Sequence, residues 1–479
     1  MHRTLNQKAM MYRTAISLIL LIMIASCKDS PPGVAANTET PTPDIIAVEY
    51  PETYELANVV LALTDYGIND KWQVRKDFDY YDEMRAYFGE HMDHPLLDSV
   101  NFSREEWQEY LSYRTDAYAF VLTDGYELRR QHAFNAFDVQ TFDDHRELTE
   151  DFARKTRFKD FFRQNRSRYD KIVETYKQEY LLAEMKDFLT EEFGNFFDRK
   201  QYSVVLSPFV YAQNLHRDID STWTADFPTI AKPIIEGSGF TSPKEKSQEI
   251  HTLFTEMNHG YVNPVTSQYD IPDRFDENVW SNDSGYEGYG DAVFNEYMTW
   301  AVFNVFNAKH FPDIADEVNL SWHFQNDSRG FPYSNLFATK LQSLYAANKG
   351  EKKVRELYPE MLTWADSVQL SLSKPVLLND SDTIRRLAGE QVVELRFSEP
   401  MEKTDSLDFV LQYGQWDTEN VRIGGDNLKW NDAGTSLTFD YEFNEKANYY
   451  LLFNWWGVNQ PIVGKNGVLL EGMSGFWII

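Results

Sequence analysis

The chain has 479 residues and a formal net charge of −29, from 75 acidic and 46 basic residues. This negative excess argues against a nucleic-acid partner, because a phosphate backbone requires a basic face, and against docking of the protein surface on anionic lipid. The length is sufficient for two or three domains, and a single cysteine excludes an internal disulfide.

The N-terminus has the features of a bacterial lipoprotein leader. Residues 1–26 combine a basic start, the apolar run "AISLILLIMIAS" and small residues before the only cysteine, Cys27, which is typical of a signal peptide. The sequence "IASC" resembles the lipobox, in which the cysteine is lipidated. We therefore expect Cys27 to anchor the protein to a membrane, at the outer membrane or the surface of a Gram-negative bacterium. Residues 27–49 are rich in Pro and Thr and predict a flexible tether.

The next part of the chain, residues 50–200, has a strongly amphipathic helical pattern. "YELANVVLALTDYG" carries apolar residues at helical spacing, and "SREEWQEYLSYRTDAYAFVLTDGYEL" opens with a capping box formed by Ser103 and Glu106. "RYDKIVETYKQEYLLAEMKDFLTEEFG" predicts one further long helix that ends near Gly194.

At residues 202–212 the spacing of the apolar residues no longer fits a helix. "YSVVLSPFVYA", residues 202–212, predicts a strand, and Pro208 within it favours an edge strand. A helix is expected to begin at Ser242, which opens a second S-x-x-E capping box, and to stop at Gly260 and Pro264.

This helix contains the most informative motif of the chain, "IHTLFTEMNHGYVNP". Thr255 and His259 are four residues apart and share one helix face, where a zinc helix of the form H-E-x-x-H places two histidines; Glu256 stands where the catalytic glutamate would be. Thr255 is not a usual zinc ligand. His251 cannot take its place, because it lies about 12 Å from His259 along the helix, too far for both to bind one ion. The opposite face is an apolar stripe that must pack inward, formed by Ile250, Leu253, Phe254, Met257 and Tyr261.

A second helix, "DAVFNEYMTWAVFNVF" at residues 291–306, is apolar nearly all round and is expected to be buried. Glu296 is the only charge inside it, and a buried carboxylate is costly unless it is paired or binds a metal. Glu296 could supply a third zinc ligand. The alternative is a structural carboxylate that caps a loop or pairs with an arginine.

The C-terminal part, residues 374–479, has the pattern of an all-β domain. "QVVELRFSEPM", "TSLTFDYEF" and "ANYYLLFNWW" alternate apolar and polar residues and are separated by turn sequences such as "NDAG" and "GKNG". Short strands at this spacing predict a sandwich of about 100 residues.

Together, "ETYELANVVLALTDYG", "DYYDEMRAYFGEHMDHP", "TEMNHGYVNP" and "NEYMTWAVF" resemble the exported domain-of-unknown-function family numbered 4932, over roughly residues 50–345. Its members resemble gluzincin peptidases. The resemblance implies a zincin-like fold in which Glu256 is the general base and His259 and Glu296 are metal ligands, with Thr255 at the vacant first-ligand position. "YSVVLSPFVY" would match the edge strand that pairs with an extended substrate. The C-terminal part resembles bacterial Ig-like domains of the S-layer type.

The expected architecture is therefore multidomain: a mainly α (α+β) zincin-like metallopeptidase domain over residues 50–373, with its site-bearing part at 201–345, followed by an Ig-like β-sandwich. Three functions stay open. The chain could be a membrane-anchored peptidase that binds zinc weakly, an inactive lipoprotein that binds a peptide or glycan in the same cleft, or a structural or adhesion protein of the envelope. The vacant ligand position disfavours hydrolysis without affecting the fold.

Overall fold

The computed structural model describes residues 45–479, except for 195–200, 212–213, 272–273, 283, 287, 289–290, 380–382, 385–388, 405–406, 414–418, 444–448, 455–460, 471–476 and 479. The predicted signal peptide, the lipidation site Cys27 and most of the predicted tether lie outside the described residues. The protein is a mixed α/β chain that divides into two compact units. The N-terminal unit ends at Pro264 and the C-terminal unit begins at Val265.

Helices make up most of the described N-terminal unit. They are α1 (Glu52–Leu63), α2 (Asp65–Asn69), α3 (Asp79–Phe88), α4 (Pro95–Ser99), α5 (Trp107–Asp116), α6 (Thr141–Asp144), α7 (Arg146–Lys155), α8 (Phe158–Gln164), α9 (Arg166–Glu179), α10 (Leu182–Phe193), α11 (Lys232–Glu236) and α12 (Pro243–Thr266). The first of them, α1, is buried at every position from Thr53 to Leu63, so the predicted helix packs through all of its faces.

Two of the predicted helices are shorter than expected. The run that begins at Ser103 is α-helical only as α5, continues as a short 3₁₀ helix at Ala117–Ala119 and then forms a short hairpin of β2 (Phe120–Leu122) and β3 (Leu128–Arg130). The expected long helix ending near Gly194 is interrupted at Tyr180, whose backbone is extended, and forms α9 and α10. Its end at Gly194 is as predicted, and that glycine has a positive φ of 87°.

A four-stranded sheet completes the unit, with strands β1 (Ile45–Glu49), β4 (Gln201–Val205), β6 (Trp223–Asp226) and β5 (His216–Asp220) in that spatial order. The first three strands run parallel and β5 is antiparallel to β6. Residues 45–49 were placed in the tether by the sequence pattern, but their apolar side lets them pair with β4 as an edge strand.

The prediction of an edge strand at residues 202–212 was wrong. β4 lies between β1 and β6, and its residues from Tyr202 to Val205 are all buried. Pro208 lies beyond the end of the strand, so its missing N–H removes no bond from the ladder. The edges of this sheet are β1 and β5.

The helical part of the C-terminal unit contains α13 (Glu277–Trp280), α14 (Ala292–His310), α15 (Ala315–Ser328), α16 (Ser334–Ala347) and α17 (Val354–Gln369). As predicted, α14 is buried, and this holds for every residue from Ala292 to Asn307. Aromatic rings surround its first turns: Trp280 packs edge-on against Tyr297, and Phe275 packs edge-on against Phe294.

The remaining strands form two sheets. One has the order β10-β9-β13-β14-β7 and the other β11-β12-β8. Their bounds are β7 (Thr383–Ile384), β8 (Gly389–Arg396), β9 (Asp408–Tyr413), β10 (Glu419–Gly424), β11 (Lys429–Trp430), β12 (Ser436–Phe443), β13 (Tyr449–Leu452) and β14 (Trp477–Ile478).

One core joins the two sheets. Phe409 of β9 packs edge-on against Phe439 of β12, with ring centroids 5.2 Å apart. The predicted alternation of "QVVELRF" is visible in β8, where Val393 and Leu395 are buried and Val392 is exposed. Identification of this two-sheet region as an Ig-like domain, and the domain boundary at residue 374, stay predictions.

Candidate functional site

The helix that carries the T-E-x-x-H motif is α12, called the motif helix below. Its start agrees with the sequence prediction, because Ser242 Oγ accepts a hydrogen bond from the backbone N–H of Glu245 (3.1 Å). Its end does not. The helix continues through Gly260 and Pro264 to Thr266, since Tyr261 and Val265 extend the buried stripe by another turn.

The three motif residues lie on this helix in the N-terminal unit. Thr255 is buried, and its Oγ1 donates a hydrogen bond to the carbonyl of Thr252 (2.9 Å). Glu256 is also buried. His259 is partly exposed, and its Nδ1 forms a hydrogen bond with Asn263 Oδ1 one turn later (3.2 Å). The predicted apolar stripe is buried as well, so the middle of the helix is covered on both faces.

Glu296, the predicted third ligand, lies on α14 in the C-terminal unit. It is buried, as expected for a residue of that apolar helix. Its role as a metal ligand stays a prediction, as do the roles of Glu256 and His259.

A second group of polar side chains lies against the motif helix, on strands β4, β5 and β6. Asp226 is fully buried, and its Oδ1 accepts a hydrogen bond from His216 Nδ1 (2.6 Å). Its Oδ2 accepts a second hydrogen bond from the phenol of Tyr202. Because a carboxylate can only accept, Nδ1 of His216 carries the proton in this contact.

Nε2 of His216 points toward the motif helix. A Cβ atom built at Gly260 would lie 3.1 Å from Nε2 and 3.2 Å from Cε1 of His216, so any larger residue would require the ring to move by a few tenths of an ångström. Gly260 therefore allows a close approach within the helix instead of ending it. Its φ is not in the left-handed region that a helix-ending glycine adopts.

The same group is electrostatically coupled to the motif. Burial, followed by the charge of Asp226 and a hydrogen bond to it, raises the pKa of the Tyr202 phenol well above its ordinary value. Glu256 raises the pKa of Tyr202 further, so the motif glutamate and Asp226 act on the same phenol.

A zinc ion, which the motif implies, fits these residues poorly. The Thr255 hydroxyl is engaged by the helix backbone, and threonine is not a usual zinc ligand. Among the residues that the structure describes, no group of three or more His, Cys, Asp and Glu side chains is placed to hold a metal ion. Catalytic zinc normally has three protein ligands.

The sequence interpretation did not include His216, Asp226 or Tyr202. A usable signal was present in "HRDIDSTWTADF", residues 216–227, where Asp220 Oδ1 accepts a hydrogen bond from the backbone N–H of Thr222 in the turn. Two strands joined by this turn bring position 216 opposite position 226, and the pairing of β5 with β6 has this register.

Comparison with known sequences identifies a family. The profile of "Domain of unknown function (DUF4932)" matches residues 47–364, which is more than half of the chain. The chain belongs to this family. Membership confirms the resemblance drawn from the motif helix and its flanking segments, while the gluzincin-like nature of the family domain stays a prediction. No curated protein sequence matches the chain.

Solved structures give only distant similarities. The bacterial S-layer protein rSbsC(31-844) aligns with 9% identity and a TM-score of 0.18, over 89% of this chain and 44% of that one. The N-terminal part of SbsC aligns with 10% identity and a TM-score of 0.17, over 89% and 76%. The chain thus spans less than half the length of rSbsC(31-844). None of the described helices combines the length and apolarity that a membrane-spanning segment requires.

Proposed function

We propose that this protein is a lipid-anchored envelope protein that binds a peptide at the motif helix without hydrolysing it. The observation that carries the proposal is the hydrogen bond that the buried Thr255 side chain makes to its own helix. Its hydroxyl is buried and donates to the carbonyl of Thr252, so the first-ligand position of the zinc motif holds a side chain committed to the helix. Because this position lacks a usual zinc ligand, the motif does not support hydrolysis by a zinc-activated water.

The remaining residues are suited to binding. His259 is partly exposed on the motif helix, one turn after the buried Glu256. His216 offers a further nitrogen from the strand side. Polar groups that converge from a helix and a neighbouring strand can fix the orientation of a ligand without any covalent chemistry.

The sheet also offers an edge for an extended ligand. Because β4 is central, the strand available for pairing on this side is β5, the antiparallel edge. A shift in register between Asp218 and Asp220 interrupts its regular geometry, so a peptide would pair over only a short segment near His216.

Anchoring rests on the leader. The sequence "IASC" supports lipidation of Cys27, which would hold the folded units at the outer membrane or cell surface through the predicted tether.

The proposal is tested by incubating the mature full chain with a defined pool of nonapeptides. Bound peptide is recovered after gel filtration and analysed by mass spectrometry, with and without a chelator. We expect bound peptide that is intact under both conditions, and weaker recovery with Glu256→Gln. Glu245→Gln on the same helix is the matched control, since an amide oxygen can still accept from Thr241. Peptide cleavage that stops with the chelator would overturn the proposal, as would the absence of any bound peptide.

A further inference from the structure

A buried arginine of the C-terminal unit has no anionic partner. Arg329 directly follows α15 and is only 8% exposed. Within the part of the chain that the structure describes, no carboxylate forms an ion pair with its guanidinium. Asp327, two positions earlier, pairs instead with Lys374 Nζ (2.6 Å). A guanidinium keeps its charge in proteins, and a charge buried without a counter-ion is costly.

The hydrogen bonds of this side chain are also incomplete. Its one side-chain hydrogen bond to a described residue runs from Nη1 to Asn326 Oδ1, at a long 3.4 Å, and Nη2 is buried with no such partner. Asn326 is fully buried, and its Nδ2 likewise bonds to no described group. A reversed Asn326 amide would direct its N–H groups at the guanidinium, so the two unused groups are both donors.

Two structural roles do not account for these donors. An arginine after a helix can donate to the last helical carbonyls, but here the backbone N–H groups of residues 329–331 already bond to the carbonyls of residues 325–327. The rings of Trp300 and Phe331 lie near the guanidinium, with their centroids 5.4 and 5.8 Å from Cζ. Aromatic faces attract a cation, yet they leave its in-plane N–H groups without an acceptor.

We propose that Arg329 and Asn326 form a binding site for a small carboxylate. The planar guanidinium matches a carboxylate in shape, and the unused donors belong to two groups that are already in contact. One positive charge and a neutral amide balance a monoanion, whereas a phosphate dianion would leave a buried negative charge without a partner. Both donors are shielded from solvent, so the ligand must be small and enter through a local opening.

Sodium acetate is the first probe, with sodium chloride at the same ionic strength as the reference. Thermal unfolding of the mature full chain is followed at about pH 8, where inorganic phosphate is mainly a dianion. We expect acetate to raise the unfolding midpoint in a saturable manner, since a ligand that binds only the folded state stabilises it. Phosphate should not raise it. The absence of an acetate effect, or an equal effect of phosphate, overturns the proposal.

A substitution at Arg329 separates a binding site from a purely structural role. Arg329→Met removes the unpaired charge, so in chloride it should unfold at the same temperature as the natural protein or higher, and acetate should no longer shift its midpoint. Arg396→Met, at an exposed arginine of β8, is the matched control and should keep the full acetate response. A response that persists in Arg329→Met overturns the proposal.

A second variant supplies the missing anion from within the chain. Asn326→Asp places a carboxylate next to the guanidinium, at the position whose oxygen Nη1 already contacts. We expect a higher unfolding midpoint in chloride and no further rise with acetate, because the internal carboxylate replaces the ligand. A lower midpoint together with an undiminished acetate response would contradict the assignment.

Two sources of a small carboxylate remain to be separated, a free acid and the C-terminus of a peptide. N-acetylglycine and N-acetylglycinamide distinguish them by calorimetric titration. If the site takes a peptide C-terminus, N-acetylglycine should bind at least about tenfold more tightly than acetate. N-acetylglycine that binds no better than acetate indicates a free small acid. The amide should not bind in either case, and an amide that binds as tightly as the acid overturns the proposal. This site lies in the C-terminal unit, and its test does not depend on peptide binding at the motif helix.

Discussion

At the scale of single residues, Gly260 shows how a local signal can be misread. A glycine followed by a proline usually ends a helix, yet here the glycine lies within the helix and makes room for His216. Sequence alone does not distinguish the two uses, because the neighbour that requires the glycine lies on a different strand and 44 positions away, at the start of a hairpin that the pattern did not reveal.

The close approach of the His216 ring to Gly260 predicts the effect of Gly260→Ala. In an ordinary helix the change would stabilise by about 1 kcal/mol. Here the added methyl group would press on a ring that Asp226 holds in place, at a cost of about 1–3 kcal/mol. We expect a net loss of about 1 kcal/mol in the free energy of unfolding, measured by urea denaturation.

The control for this prediction is the same substitution in a His216→Ala background, where the space is open and Gly260→Ala should stabilise. A stabilising effect in the natural background would show that the ring and Gly260 are not in close contact.

Two buried carboxyl groups of the N-terminal unit should make stability depend on pH. Burial raises the pKa of Glu55 from 4.5 to about 7, although Tyr80 donates a hydrogen bond to it (2.6 Å). Burial raises the pKa of Asp116 to about 7 as well. A raised pKa means that the folded state binds the proton more tightly than the unfolded chain. The stabilisation is therefore complete below about pH 4 and is lost as the pH rises to about 7.

We expect the free energy of unfolding to fall between about pH 4 and pH 7, with Glu55 alone contributing about 3 kcal/mol. Glu55→Gln has no proton to lose and should reduce the total decrease in the free energy of unfolding by that amount, as measured by urea denaturation at several pH values. Stability that rises over this range, or a slope unchanged in Glu55→Gln, would contradict the assignment.

At the scale of elements, several predictions based on local physics agreed with the structure. The N-cap at Ser242, the buried α14 and the alternation in β8 all follow from capping chemistry or hydrophobic period, which act within a few residues. Other predictions failed because they depend on contacts with parts of the chain that are distant in sequence. The sequence of β4 does not reveal that β1 and β6 lie on both of its sides, and the break at Tyr180 has no proline or glycine to mark it.

The cap of the motif helix gives a direct test at this scale. Ser242→Ala removes the acceptor for the N–H of Glu245 and should lower stability by about 1 kcal/mol. Ser103→Ala is the matched control: it retains the bond from the backbone N–H of Ser103 to Glu106 Oε2 and should cost less. Both effects are measured by thermal unfolding. Equal losses would show that the Ser242 side chain does not cap the helix.

At the scale of the whole molecule, the candidate site was only partly predictable. The motif identified Thr255, Glu256 and His259 because their spacing is a property of one helix. His216 and Asp226 join the site through strand pairing, which the sequence analysis did not resolve in that region. The two-sheet C-terminal region follows from alternation and turns alone, and its core draws on both sheets.

The proposed anchor is tested by Cys27→Ser. Each buried CH₂ of an acyl chain contributes about 0.8 kcal/mol to membrane binding, and a protein surface with a net charge of −29 offers no substitute on anionic lipid. We expect the variant to move from the membrane to the soluble fraction in cell fractionation, and Lys28→Ala to remain with the membrane. A serine variant that stays membrane-bound would contradict lipidation at this position.

The central claim, that the motif helix lacks its first metal ligand and binds without metal-dependent hydrolysis, is tested most directly by calorimetric zinc titration. The natural protein should bind zinc weakly or not at all, since threonine is not a usual ligand. Thr255→His should raise the affinity by more than the roughly 10–100-fold typical of an outer-shell change, and adding His259→Ala should abolish the gain. Tight zinc binding by the natural protein, or no gain from Thr255→His, would contradict the account.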